Sequence, residues 1–137
     1  MESKSVQIGG DHYKGFVYEP FEIAHANHYD GECLSILKYV MRHEMKAGAV
    51  DLRKAMHIVD IRADLIEKHG DSPIGRDTIP PSEFIPANSI KAPEAMVLTN
   101  LHSWALQGAP FPDRETATFI KGQIADLITI YYPGETQ

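Results

Sequence analysis

An all-α fold is what this sequence predicts, and three observations predict it. Apolar residues recur at intervals of three and four in four separate segments, which is the period of a helix with one buried face. Glycine and proline punctuate those segments at their ends, at Gly48, Gly70, Gly108 and Pro133. No internal repeat or low-complexity tract interrupts them.

"YEPFEIAHANH" reads as a short helix with Pro20 in its first turn, where the missing N–H costs nothing, and Asn27 at its end. A longer helix is expected from about Asp30 to Ala47, closed by Gly48 in a left-handed conformation. Asp51 is expected to cap the next, Leu52 to His69, which Gly70 stops. These two form an antiparallel hairpin with a tight joint. From Gly70 to Pro93 five prolines argue for a long ordered loop without regular helix. "PEAMVLTNLHSWALQG" and "DRETATFIKGQIADLITIYY", the latter capped by Asp113, then give a second helical hairpin. Its stripes of Val97, Leu101 and Trp104 against Ile120, Ile124, Leu127 and Tyr131 read as core. Residues 1–69, 70–93 and 94–137 are thus an arm plus hairpin, a Pro-rich loop and a C-terminal hairpin packed on the same domain.

The 137 residues suit one domain with its own core. Hydrophobic content of 43% and charged content of 23% are ordinary for a globular protein, and no apolar run approaches the roughly 20 residues of a membrane span. The first residues, MESKSVQIGG, lack an apolar signal region, so a cytoplasmic location is expected. The lone Cys33 removes disulfide frameworks and cysteine-rich zinc sites. A formal charge of −6 argues against polymeric nucleic acid as partner, because phosphate contacts need a positive surface. A local basic patch in an acidic chain suits a small anion.

Such a patch stands in "KYVMRHEMK". Lys38, Arg42 and Lys46 fall on one helical face at steps of four, with Ser35 and Tyr39 interleaved. Like charges so spaced repel, and two things can offset the repulsion. One is acidic side chains, giving a salt-bridged surface with no ligand. The other is a phosphate, on which Arg acts as a fork and Lys as a point charge. On the next helix Arg62 falls inside the apolar arc, near the height of Leu37 and Lys38, and so requires a partner: the basic group, or Glu19 or Glu22. Glu44 is the matching carboxylate in the apolar arc of the first helix, expected to meet solvent or another subunit, and its position is compatible with a metal or proton-transfer role.

Other motifs carry less. His25 and His28 stand three apart but have no third metal ligand and read as surface histidines. "HIVD" has no second His-Asp element, and Glu19 with Glu22 makes one ExxE with no ExxD after it. No GxxxxGK[ST] occurs, so any phosphoryl chemistry uses a scaffold other than a P-loop. "GGDHYK" could bring His12 and Lys14 over a site on a glycine-rich arm.

Taken in order, "GGDHYK", the Tyr18, Pro20, Glu22 spacing, "KYVMR", Lys46 and "DLRKA" at 51–55 resemble a family of small phage-encoded proteins labelled as nucleotide kinases. That family includes a deoxynucleoside monophosphate kinase without a P-loop, and the resemblance covers about residues 9–69. It implies a nucleotide site formed by His12, Tyr13, Lys14, Glu22, Ser35, Lys38, Tyr39, Arg42 and Lys46, with Lys38, Arg42 and His12 catalytic and Arg62 adjoining. It also implies a homo-oligomer in a host cytoplasm and magnesium carried with the nucleotide. Where the family shows Gly-Asn three residues before its Lys-Tyr, this chain has Leu34 and Ser35, a change at a site-lining position. Two further readings stand beside the kinase: a protein that sequesters a host signalling nucleotide without turnover, and an interaction protein whose basic face meets an acidic partner.

Overall fold

The computed structural model of the chain describes residues 15–109 and 111–135. These form six α-helices and no strand: α1 (Pro20–Asn27), α2 (Gly31–Arg42), α3 (Ala49–His69), α4 (Pro81–Ala87), α5 (Ala92–Ala105) and α6 (Asp113–Tyr131). The expected all-α class is the observed one. The central α2–α3 hairpin is present, and α3 lies between α2 and α6, while α5 packs on both α2 and α6. The two hairpins therefore share one core, in which Ile36, Leu37, Val40, Leu52, Val59, Leu101, Trp104, Ile120, Ile124 and Leu127 are all buried. No helix among the described residues is long and apolar enough to cross a membrane.

α1 begins and ends where its sequence directs, with Pro20 at its start and a left-handed His28 after Asn27. Asp30 caps α2 by accepting a hydrogen bond from the Cys33 N–H at 2.8 Å. The expected run of α2 to Ala47 is not observed. The α-helix ends at Arg42, and His43–Met45 form a single 3-10 turn. Tertiary bonds override the helical pattern there: both ring nitrogens of buried His43 are engaged, and the Gly48 N–H closes the joint on the His43 carbonyl at 2.8 Å. Met45, placed in the apolar arc by the longer helix, is accordingly 47% exposed.

Gly48 has the expected positive φ, +61°, but serves as the residue before α3. Asp51 is therefore inside the first turn of α3 and does not cap it from outside; its Oδ2 accepts from the Ala47 N–H at 3.3 Å. Asp113 likewise opens α6 from within, and its carboxylate accepts from the Trp104 indole N–H at 2.8 Å.

The proline-rich stretch does hold a helix, contrary to expectation. Pro81 occupies the first turn of α4, where no donor is needed, and Pro86 falls in the last turn, where its missing N–H removes a single bond. The loop before it is tied down by Asn27, whose amide donates to the Ile79 carbonyl at 2.8 Å and accepts from the Ile79 N–H at 2.7 Å. Asp77 adds a second tie through His102, whose other ring nitrogen lies 2.6 Å from the Tyr29 hydroxyl.

Candidate functional site

Tyr39 sits half-buried on α2, and three cations gather about its ring. Arg42 lies 4.8 Å from the ring centroid, Lys38 5.3 Å and Lys54 of α3 5.8 Å. Such contacts favour a cation by about 0.5–1 kcal/mol at exposed positions. Lys54 reaches the group because the tight joint folds the first turns of α3 back along α2. It belongs to "DLRKA", a segment already in view, but its place opposite Lys38 depends on the hairpin and is not readable from spacing along one helix.

Burial first, and then the nearby charges of Arg42 and Lys46 with a lesser one from Lys54, lower the Lys38 amine from its ordinary value, and Asp51 opposes them in part. Lys38, Lys46 and Lys54 make no ion pair among the described residues. Arg42 is buried, and its Nε lies 3.4 Å from Asp51 Oδ2. A cleft of about 310 Å³ adjoins the ring, lined by Tyr39, Val50, Arg53, Lys54, His57 and Ile58. Cationic rim and apolar floor together offer a place for an anion with a flat apolar portion.

Acidic side chains elsewhere on α3 are turned away from this group. Asp64 and Glu67 bind Arg114 of α6 at 2.6 and 2.7 Å, and Asp60 binds Lys121 at 2.8 Å. Asp60, Asp64 and Glu67 are thus drawn toward α6, while Asp51 stays with Arg42.

Of the residues the sequence nominated, Lys38, Tyr39 and Arg42 are brought together. Lys46 does not continue the helical row, because α2 ends before it; it stands exposed in the joint, close enough to act on the Lys38 amine. Ser35 is half-buried on α2, one turn before Lys38. Glu22 lines a different cleft, of about 650 Å³, with Phe21, His25, Tyr29 and Leu34, and none of the Tyr39 group borders it. His12, Tyr13 and Lys14 lie outside the described residues.

Arg62 is a correction. Its side chain is 2% exposed, donates from Nε to Asp30 Oδ2 at 3.0 Å, and stacks on Trp104 with 4.3 Å to the ring centroid. Its partner is neither the basic group nor Glu19 or Glu22. The early end of α2 shifts the hairpin register, so Arg62 faces the beginning of α2 and not Lys38. Burial pushes the Asp30 carboxyl up, but Arg62 and the Cys33 N–H outweigh it and hold the group below its ordinary value. Arg62 is a structural cation.

Among the described residues, the Tyr39 group does not offer a magnesium site. Its donors are ammonium, guanidinium and phenol groups, and the carboxylate in contact with it, Asp51, is buried and engaged by Arg42 and the Ala47 N–H. Any magnesium that accompanies a nucleotide would have to be held by the nucleotide's own oxygens. Glu44, for its part, meets solvent as expected, with Lys91 on its carboxylate at 3.0 Å. No family model, no curated protein and no solved structure matches the chain.

Proposed function

We propose that this protein binds nucleotides through the cations around Tyr39 and transfers a phosphoryl group from a nucleoside triphosphate to a deoxynucleoside monophosphate. One observation carries the binding half of the reading: Lys38 and Lys54 converge on one ring from two helices, with no carboxylate partner among the described residues. Phosphate oxygens placed there would favour the charged Lys38 ammonium, against the burial and the neighbouring cations that lower it. The base and sugar would lie in the adjoining cleft, against Val50 and Ile58. Arg42 covers Tyr39, so the ring serves as a platform for cations and not as a stacking surface for a base on that side.

The transfer half rests on the resemblance to phage nucleotide kinases. In that reaction a monophosphate oxygen attacks the γ-phosphorus, the bond from that phosphorus to the β-bridging oxygen breaks, and two diphosphates result. Catalysis of this kind consists of positioning and of offsetting charge on the transferring oxygens, which lysines and arginine supply. A second reading, sequestration of a nucleotide without turnover, is favoured by Leu34 and Ser35, which stand where the kinase family shows Gly-Asn.

Incubating the purified protein with each of the four deoxynucleoside monophosphates and magnesium ATP separates these readings. Formation of a deoxynucleoside diphosphate is the expected result. Saturable binding with no diphosphate supports sequestration, and absence of both overturns the assignment.

A further inference from the structure

On the far side of the joint, the turn that ends α2 sets His43 beside Glu44, and α5 brings Glu94 up to both. One ligand atom from each of the three lies within 4.8 Å of the others. His43 and Glu94 are buried, whereas the Glu44 side chain is 44% exposed. None of these residues belongs to the Tyr39 group.

Three observations distinguish this cluster from an ordinary charged surface. First, its inner donors are held from behind. The Tyr132 hydroxyl lies 2.8 Å from His43 Nδ1, and Tyr131 donates to Glu94 Oε1 at 2.9 Å, so that His43 Nε2 and Glu94 Oε2 face each other at 2.7 Å. Partners of this kind on the outer atoms of imidazole and carboxylate ligands are the usual support of a metal site. Second, a cleft of about 300 Å³ opens onto all three residues, leaving room for water as a further ligand. Third, Glu44 already attracts a cation. The Lys91 ammonium spans both oxygens of Glu44 at 3.0 and 3.1 Å, with its side chain 59% exposed and able to withdraw into solvent.

We propose that His43, Glu44 and Glu94 bind a divalent first-row metal ion of the zinc class, with water in the remaining position and Lys91 as the cation it displaces. Imidazole nitrogen and carboxylate oxygen both ligate such ions, and three protein ligands with a position left to water is the form of an open zinc site. The proton on His43 has somewhere to go. When Nε2 turns its lone pair to the metal, the neutral ring carries its proton on Nδ1 and donates to the Tyr132 oxygen; that hydroxyl then donates to the His43 carbonyl, 3.3 Å away. Bonds of about 2.0–2.2 Å place tetrahedral donors roughly 3.3–3.5 Å apart, so the His43–Glu94 contact opens by less than about 1 Å and exposed Glu44 moves inward.

Calorimetric titration of the full-length protein with Zn²⁺, repeated with Co²⁺ by visible absorption, tests the site. One saturable site is expected, and bound Co²⁺ should show the intense bands of a four-coordinate ion. Glu44→Gln should weaken Zn²⁺ binding at least about tenfold, and Lys91→Met should tighten it. A His25→Ala/His28→Ala variant should bind as the parent does. Both Glu44 and Lys91 are exposed, so their variants fold. Affinities unaltered by Glu44→Gln and Lys91→Met, or no saturable binding by the parent, would overturn the proposal.

Discussion

Arg62 shows how much a single residue can reveal and conceal. Its place in an otherwise apolar arc was legible as a buried cation that requires a partner, and burial at 2% exposure bears that out. The identity of the partner was not legible, because it depends on where α2 ends. With the helix stopping at Arg42, the hairpin faces Arg62 with Asp30 and Arg42 with Asp51. Asp30 then has two tasks, capping α2 and neutralising Arg62, while Trp104 covers the guanidinium. Removing one partner of such a pair leaves a charge uncompensated in the interior. Arg62→Ala should therefore lower stability by about 3–5 kcal/mol, read from urea denaturation. Its folded fraction should bind nucleotide as the parent does; a selective loss of affinity would return Arg62 to the site.

At the scale of elements, the joint between α2 and α3 decides the site. Helical periodicity located both helices and the glycine between them, but it also extended α2 by a turn and set Lys46 in a continuous row. Nothing local in "HEMKAG" announces the break, since the cause is remote: Glu94 on α5 and Tyr132 after α6 take the two His43 ring nitrogens. The same contact fixes Gly48, whose φ of +61° suits glycine alone and whose missing Cβ would stand 3.3 Å from the Tyr132 ring. Gly48→Ala should cost about 1–3 kcal/mol in backbone strain, measured by thermal or chemical denaturation. Because the joint sets the distance between Lys38 and Lys54, the variant should also weaken nucleotide binding under conditions where it stays folded. Full stability in Gly48→Ala would mean that the joint tolerates other conformations. Prolines 81 and 86 teach a related lesson: a count of prolines argued against helix, whereas their positions at the two ends of α4 permit one.

Across the whole molecule, charge is sorted between faces. The chain is acidic in sum, yet Asp60, Asp64 and Glu67 are drawn to Arg114 and Lys121 on α6, and Glu44 to Lys91. Among the described residues, Lys38 and Lys54 meet the Tyr39 ring and no ion-pair partner. This sorting could not be read along the chain, because it requires the second hairpin to pack on the first; only the cations at steps of four hinted at it. Lys38, Lys46 and Lys54 repel across short distances, and like-charge pairs of this kind cost a few tenths of a kcal/mol each. Without a ligand, the contacts of Lys38 and Lys54 with the Tyr39 ring are set against that repulsion. Replacing Lys38 or Lys54 by Met removes both effects and keeps the apolar stem against the ring, so stability should change by less than about 1 kcal/mol while a phosphate contact is lost.

Calorimetric titration of the parent, Lys38→Met and Lys54→Met with deoxynucleoside monophosphates and ATP at low salt, paired with their melting temperatures, puts that claim to the test. Saturable binding by the parent, at least about tenfold weaker in each variant with melting temperature little changed, is the predicted result, a loss of about 1.4 kcal/mol or more. Equal nucleotide affinity in all three proteins, or none in the parent, would contradict it.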